Sequence, residues 1–239
     1  MTRTPRPAVG RRTALALGLA APVALLAACA TETAPRPAPG PVRVRTDWSR
    51  RPEGTAAAVG DEGAPVRVVL RDAPLPPVVR TGALVGQLPD AHGASYVNQD
   101  VGSTVVRIGA DFAFGPGSEA GSLCLAAWTG VPYETPAVRT HCHFVLTPAR
   151  WIYGVIEDGT SLRVIESGTY AAALRQDGTP CSTEAVITGP TASLTLPDGT
   201  TRAVSDPAIR ALGGSWACWE FYKDTAGAAD VRLLRSWAG

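Results

Sequence analysis

Two histidines flank a cysteine in the segment His141-Cys142-His143, and this spacing suits metal binding. Residues two positions apart in a β-strand project from the same face, so both imidazoles would point towards one ion. His92 is the only other histidine, and it would complete a three-imidazole site of the kind found in some catalytic zinc enzymes. Strand histidines without a metal are commoner. We therefore predict no metal and no cofactor, and keep His92, His141 and His143 as candidate ligands.

The cysteines beyond the N-terminal region form an even set: Cys124, Cys142, Cys181 and Cys218. In an oxidising compartment such a set predicts two disulfides, and no pair has the Cys-x-x-Cys spacing of zinc ligands. If the runs around Cys124 and Cys142 fold back on one another through a loop centred near residue 133, these two cysteines lie directly opposite. This geometry favours Cys124–Cys142 with Cys181–Cys218, and two other pairings stay open.

The densest aromatic group is Trp216, Trp219, Phe221 and Tyr222. On a strand, Trp216 and Tyr222 share one face, and Trp219 and Phe221 share the other. One face must belong to the core. The other is either an aromatic surface for a sugar ring or a protein partner, or a second buried face covered by the linker or by Trp237. We take these four residues as a possible binding surface.

Common catalytic signatures are missing from the sequence. It has no Gly-x-Ser-x-Gly, no His-Glu-x-x-His and no Ser-x-x-Lys, and its glycine-rich segment 115–121 has no lysine to hold a phosphate. Catalytic residues therefore stay unknown, and a binding role is favoured. The alternative is an envelope hydrolase, metal-assisted through His141, His143 and a carboxylate.

The N-terminus has the organisation of an export signal. Four arginines precede the uncharged segment 13–28, which is too short and too interrupted by Pro22 to span a membrane comfortably. Leu26-Ala27-Ala28-Cys29 then resembles the lipobox of bacterial lipoprotein precursors. The resemblance covers residues 1–29 and implies cleavage before Cys29, which carries a diacylglycerol. Arg11-Arg12 also resembles a twin-arginine signal, although Ala14 departs from that pattern, so both export routes stay open.

The rest of the chain divides into a linker and one domain. Residues 29–64 are rich in proline and alanine, which predicts the lipidated cysteine followed by an extended or disordered linker. A first strand over Val42 to Trp48 is the alternative. From Pro65 to Gly239, short apolar or alternating runs recur between turn residues, which is typical of an all-β antiparallel sandwich or barrel-like meander.

Local signals refine this prediction. Asp-Gly-Thr occurs at 158–160, 177–179 and 198–200, and Asp-Gly favours tight hairpin turns, so these triplets predict three successive hairpins. One short helix is predicted from Asp206 to about Leu212, with Asp206 as its N-cap, Pro207 in its first turn and Gly213 at its end.

Charge excludes one class of function. Because four of the 22 basic residues precede position 29, residues 29–239 carry 18 basic and 21 acidic side chains, a net charge of −3. A segment with this charge balance lacks the excess of basic residues with which nucleic-acid-binding proteins contact phosphates. The sequence therefore predicts a lipoprotein on the outer face of the cell membrane, with a β domain that binds a small ligand or another envelope protein.

Overall fold

The computed structural model describes residues 41–73, 75–88, 92–131, 141–157, 161–223 and 225–239; of His141 and residues 210–212 it describes the backbone alone. The predicted signal peptide, the lipidation site Cys29 and linker residues 30–40 lie outside the described residues. Among the residues that are described, no helix is long and apolar enough to cross a membrane.

Strands dominate the described part of the chain. They are β1 (Val44–Asp47), β2 (Gly54–Thr55), β3 (Arg67–Arg71), β4 (Val78–Arg80), β5 (Ala83–Val85), β6 (Gly93–Asp100), β7 (Arg107–Phe114), β8 (Gly121–Trp128), β9 (His141–Leu146), β10 (Arg150–Ile156), β11 (Leu162–Thr169), β12 (Cys181–Thr188), β13 (Thr191–Thr195), β14 (Thr201–Ser205), β15 (Trp216–Lys223) and β16 (Val231–Ala238). The helical elements are a 3-10 helix (Trp48–Arg50) and helix α1 (Pro207–Leu212).

These strands form two antiparallel sheets. The first runs β14-β13-β12-β7-β16-β5-β4-β2, with β1 also paired to β16. The second runs β11-β10-β9-β8-β15-β6-β3. The centre of the second sheet joins distant parts of the chain, since β15 pairs with β8 on one side and with β6 on the other. The predicted all-β antiparallel sandwich is confirmed.

The hydrophobic core lies between the two sheets. The second sheet contributes Leu123, Leu125, Trp219 and Phe221, which meet residues of the first sheet such as Phe112. The indole nitrogen of Trp219 donates to the carbonyl of Gly109 on β7 at 2.9 Å, so it is satisfied in the interior. This packing uses only one face of the second sheet, because successive strand residues point in opposite directions.

The predicted linker is too long. Strand β1 pairs with β16, in agreement with the alternative of a first strand over Val42 to Trp48. Trp48 is fully buried, and its indole nitrogen donates to the hydroxyl of Ser236 at 3.3 Å. The prediction of an unstructured linker up to residue 64 is therefore wrong from residue 44 onward. The residues around Trp48 are rich in proline and alanine, and this composition gave no sign that Trp48 is buried.

The Asp-Gly-Thr triplets have different outcomes. Asp198-Gly199-Thr200 joins the paired strands β13 and β14 as a hairpin, with Gly199 at a φ of +81°. The triplet at 177–179 instead carries the chain from β11 in the second sheet to β12 in the first, so the predicted continuous meander is wrong there. Residues 158–160 lie outside the described residues, although the strands on either side of them, β10 and β11, pair antiparallel.

Helix α1 follows its sequence signals. The Asp206 carboxylate accepts from the backbone nitrogen of Ala208 at 2.9 Å, Pro207 occupies the first turn, and Gly213 follows the last residue. Arg163 donates to both oxygens of Asp206, at 2.8 and 3.0 Å. These contacts hold the pKa of Asp206 at about 2, chiefly through Arg163 and then through the Ala208 amide.

Candidate functional site

The face of the second sheet that is turned away from the first sheet forms a cleft, which we call the sheet cleft. It encloses a cavity of about 450 Å³. Strands β3, β6, β8, β9, β10 and β15 all contribute to it, and the turn before β8 forms part of its wall. Its lining includes Arg71, Tyr96, Glu119, Ser122, Trp128, His143, Val145, Arg150, Ile152, Glu220 and Tyr222.

Strand register places the central side chains of the cleft side by side. Glu220 on β15 lies opposite Cys124 on β8 and opposite Tyr96 on β6. His143 on β9 lies opposite Ala126 on β8, one position along the same face from Cys124. Because directly opposed Cβ atoms are about 5 Å apart, these neighbours are within reach of one another.

Three of these side chains, Cys124, His143 and Glu220, form what we call the floor cluster. Nε2 of His143 lies 2.9 Å from Oε2 of Glu220. The ligand atoms of all three residues lie within 4.8 Å of one another; Cys124 and Glu220 are buried, and the side chain of His143 is 11% exposed. Glu220 is only 3% exposed, which is unusual for a carboxylate and requires a partner of complementary charge or hydrogen bonding.

Electrostatics keep the Cys124 thiol protonated. Burial is the main cause that raises its pKa well above the ordinary value, followed by the nearby charges of Glu220 and Cys218 and by a hydrogen bond to Glu220. Since a protonated thiol donates and a carboxylate accepts, Glu220 is held between the cysteine on one side and the histidine on the other. The floor cluster therefore brings together side chains that can act as an acid, as a base or as metal ligands.

Aromatic side chains stand beside the floor cluster. The rings of Tyr96 and Trp128 meet edge to face, with centroids 6.4 Å apart, and the Trp128 side chain hydrogen-bonds to Cys218. Tyr222 is partly exposed and packs edge to face against His92 at 5.7 Å. Trp216, also partly exposed, lies under the guanidinium of Arg67 at 5.5 Å. Flat apolar rings therefore alternate with polar groups across this face.

The rim of the cleft is charged. Arg71 donates to Nε2 of His92 at 2.9 Å, and Nδ1 of His92 lies 3.6 Å from the carboxylate of Asp72. Arg150 and Glu119 also line the cavity. Both signs of charge are present, so the cleft has donors and acceptors for an uncharged polar ligand rather than a field for a strongly charged one.

The predicted disulfides are wrong, because Cys124, Cys142, Cys181 and Cys218 are all free cysteines. Strand register explains the failed pairing of Cys124 with Cys142. Cys142 lies opposite Ala127 and Cys124 lies opposite Val145, an offset of three residues from the predicted register. An odd offset turns the two side chains to opposite faces of the sheet.

The other predicted pair is separated by the fold itself. Cys181 belongs to the first sheet, while Cys218 is buried on the cleft face of the second. Cys142 lies in the core between the sheets, where its thiol donates to the carbonyl of Ile209 on α1 at 3.3 Å.

The three predicted metal-ligand candidates are not brought together as expected. His143 joins the floor cluster, whereas His92 lies on the rim with Arg71 and Asp72. The side chain of His141 lies outside the described residues. The candidate ligands that accompany His143 are a cysteine and a glutamate.

The predicted aromatic surface is divided between two environments, as the alternation along β15 requires. Trp219 and Phe221 are fully buried in the core. Trp216 and Tyr222 lie on the cleft face and are partly exposed. This side of β15 is therefore the one available to a ligand.

Several cleft residues were missed by sequence reasoning. Glu220 sits between Cys218 and Tyr222 at the two-residue strand period, so its face was already implied by the placement of Tyr222. For Cys124 and Trp128 no comparable signal exists, because only the pairing of β8 with β15 brings them to Glu220.

No family model matches the sequence, and no curated protein matches it either. Solved structures share its fold. The GH16 protein of a Bacteroides ovatus mixed-linkage glucan PUL, in complex with a G4G4G3G product, has a TM-score of 0.52 at 8% identity, over 82% of this chain and 98% of that one.

Two further solved structures are similar. The exoplasmic/lumenal domain of VIP36 in its Ca²⁺-bound form has a TM-score of 0.52 at 9% identity, covering 75% of this chain and 85% of that one. The carbohydrate recognition domain of Emp46p in metal-free form has a TM-score of 0.50 at 12% identity, covering 72% and 87%. At these identities the likeness establishes the β-sandwich fold alone.

Proposed function

We propose that this protein is a lipid-anchored, extracytoplasmic carbohydrate-binding protein whose ligand occupies the sheet cleft. The observation that carries the proposal is the composition of the cleft, in which aromatic rings and buried polar groups line one cavity of about 450 Å³. Cavities of this size are typical of small-ligand sites.

Sugar chemistry matches this lining. A pyranose ring has apolar C–H faces that pack on flat aromatic rings, and the partly exposed Tyr222 supplies such a ring, while the almost fully buried Tyr96 and Trp128 add apolar wall to the cavity. Its hydroxyl groups both donate and accept, so they need polar partners of both kinds. Glu220 accepts and Arg150 donates within the same cavity.

The solved structures with the same fold support this proposal. One is a carbohydrate recognition domain, and another was solved with an oligosaccharide product. The likeness is one of fold, and the residues of the cleft itself supply the ligand contacts that we propose.

The lipid anchor is a separate part of the proposal. It rests on the lipobox-like Leu26-Ala27-Ala28-Cys29 after an export signal. Each buried acyl methylene contributes about 0.8 kcal/mol, so two or more chains hold a protein firmly on a membrane. Mass spectrometry of the protein from its own membranes tests this: we expect a chain that begins at Cys29 with acyl mass added, whereas an unmodified Cys29 rules the anchor out.

A glycan array tests carbohydrate binding. The purified full-length protein is expected to bind one class of glycan, and Tyr222→Ala is expected to weaken that binding. Trp237→Ala is the matched control, because Trp237 is also a partly exposed aromatic residue but lies on the first sheet, where its indole donates to Glu184 at 2.8 Å. An equal loss of glycan binding in both variants would show that the cleft is not the glycan-binding site.

A second candidate function is an envelope hydrolase, and the floor cluster favours it. A carboxylate and an imidazole 2.9 Å apart in a ligand-sized cavity have the arrangement needed for proton transfer to and from a substrate. Incubation of the wild-type protein with the glycans that it binds distinguishes the two functions. Cleavage that Glu220→Gln abolishes would establish the hydrolase, and intact glycan would establish a binding protein.

A further inference from the structure

We propose that Cys124, His143 and Glu220 form a binding site for a zinc-type transition-metal ion at the floor of the sheet cleft. The inference is independent of what fills the rest of the cleft. It rests on the donor set, its spacing, its burial and the strands that hold it.

The spacing is close to that of a metal site. The three ligand atoms lie within 4.8 Å of one another, and His143 Nε2 is already 2.9 Å from Glu220 Oε2. Bonds of about 2.0–2.3 Å to a tetrahedral ion place its ligand atoms about 3.5 Å apart. To reach that spacing, the His143–Glu220 pair opens slightly and the more widely separated ligand atoms move closer, which side-chain rotations achieve.

The donor types select the ion. A thiolate, an imidazole and a carboxylate together are typical of zinc and its neighbours in the first transition row, whereas calcium and magnesium prefer oxygen ligands alone. Three protein ligands leave one tetrahedral position for water or a ligand donor, as in catalytic rather than structural zinc sites. His143 and Glu220 line the cavity, so that position has space beside it.

Charge balance also favours an ion. Glu220 is a buried carboxylate, and Cys124 is fully buried. A thiolate and a carboxylate together carry two negative charges, which a divalent cation neutralises, while the histidine binds in its neutral form. Buried charges persist where they are paired or bound to a metal.

Strand pairing preorganises the ligands. Cys124, His143 and Glu220 come from the adjacent strands β8, β9 and β15 in the middle of the second sheet. Ladder hydrogen bonds on both sides hold each strand, so the three side chains start from fixed backbone positions. Sites built on strands are positioned more accurately than sites built on loops.

The test uses the purified full-length protein, stripped of metal by a chelator and titrated with Co²⁺ as a spectroscopic probe. We expect one ion per chain, with the near-ultraviolet charge-transfer band of a cobalt–thiolate bond. Cys124→Ser is expected to lose this band, and His143→Ala is expected to weaken Co²⁺ affinity by more than about 100-fold, above the loss typical of residues outside the ligand shell. Cys142→Ser is the matched control, because Cys142 is equally buried on the opposite face of the same sheet.

Absence of the band in the wild-type protein overturns the proposal, as does a band that persists in Cys124→Ser or disappears in Cys142→Ser. If Cys124→Ser does not fold, a measurement on the wild type decides. Zn²⁺ binding must release the thiol proton of Cys124 into the buffer, and binding without proton release contradicts the site. No carbohydrate is present in either experiment, so the result is separate from the test of the proposed function.

Discussion

The two faces of strand β8, in the middle of the second sheet, are both buried but are built from different side chains. Every residue of β8 is buried. Leu123 and Leu125 on its inner face pack into the core, while Cys124 and Trp128 on its other face belong to the cleft. The inner face of β8 is apolar, and elsewhere on this sheet the inner face also buries the polar Gln99 and Lys223, whereas the cleft face gathers rings, a thiol, an imidazole and a carboxylate around one cavity.

This difference shows how one sheet supports both stability and recognition. The inner face is stabilised by burial against the first sheet, for which apolar side chains suffice. The cleft face has no second sheet over it, and its buried carboxylate, Glu220, is paired with His143 and Cys124 on neighbouring strands. Buried polar groups that line a cavity therefore mark the functional face, and the following variants test that division.

The largest expected effect belongs to the inner face. Trp219→Ala removes a fully buried indole and its hydrogen bond to Gly109, so we expect the free energy of unfolding to fall by about 3–5 kcal/mol. Guanidinium denaturation measures this. Trp237 is partly exposed, so Trp237→Ala should lower the free energy of unfolding much less. An equal decrease in both variants would contradict the assignment of Trp219 to the core.

The next effect belongs to the cleft face. Glu220→Gln keeps the shape of the side chain but removes its charge, so we expect glycan binding to weaken by about 2 kcal/mol, in the range of charge-assisted hydrogen bonds. Calorimetric titration with the array glycan measures this. Glu184→Gln is the control, since Glu184 pairs with Arg107 at 2.6 Å on the first sheet. A glycan affinity that Glu220→Gln leaves unchanged would mean that the floor cluster does not touch the ligand.

The smallest effect is a pH dependence inside the core. Burial raises the pKa of the Cys142 thiol from its ordinary 9.0 to about 12. As the pH rises, the thiol ionises in the unfolded state before it ionises in the folded state. Its contribution to the free energy of unfolding is therefore fully present below pH 9 and is lost as the pH rises towards 12. We expect wild type to lose about 1 kcal/mol relative to Cys142→Ala between pH 8 and pH 10. Parallel denaturation curves at the two pH values measure it, and a constant gap would contradict the burial of this thiol.

Local patterns predicted most of the fold. The strands, the capped helix after Asp206 and the hairpin at Asp198-Gly199 each depend on neighbouring residues, and each is present. Strand β1 was offered only as an alternative, because its burial depends on Trp48 meeting β16 at the far end of the chain. The sequence around 177–179 likewise gives no local indication that the chain passes there from the second sheet to the first.

The candidate site was predicted only in part. Alternation along β15 separated Tyr222 from Trp219 correctly, since that rule needs one strand alone. The floor cluster and the cysteine environments depend on the register between strands that lie far apart in sequence. A three-residue error between β8 and β9 was enough to suggest a disulfide between Cys124 and Cys142, which lie on opposite faces.

The central claim is that carbohydrate occupies the sheet cleft, and the indole N–H signals of the tryptophans test it most directly. The chain has six tryptophans, of which Trp128 lines the cleft while Trp48 and Trp219 lie in the core. When the tightest-binding array glycan is titrated into ¹⁵N-labelled protein, we expect the Trp128 signal to shift and those of Trp48 and Trp219 to stay in place. A glycan that binds without moving Trp128, or the absence of any glycan that binds, would contradict the account.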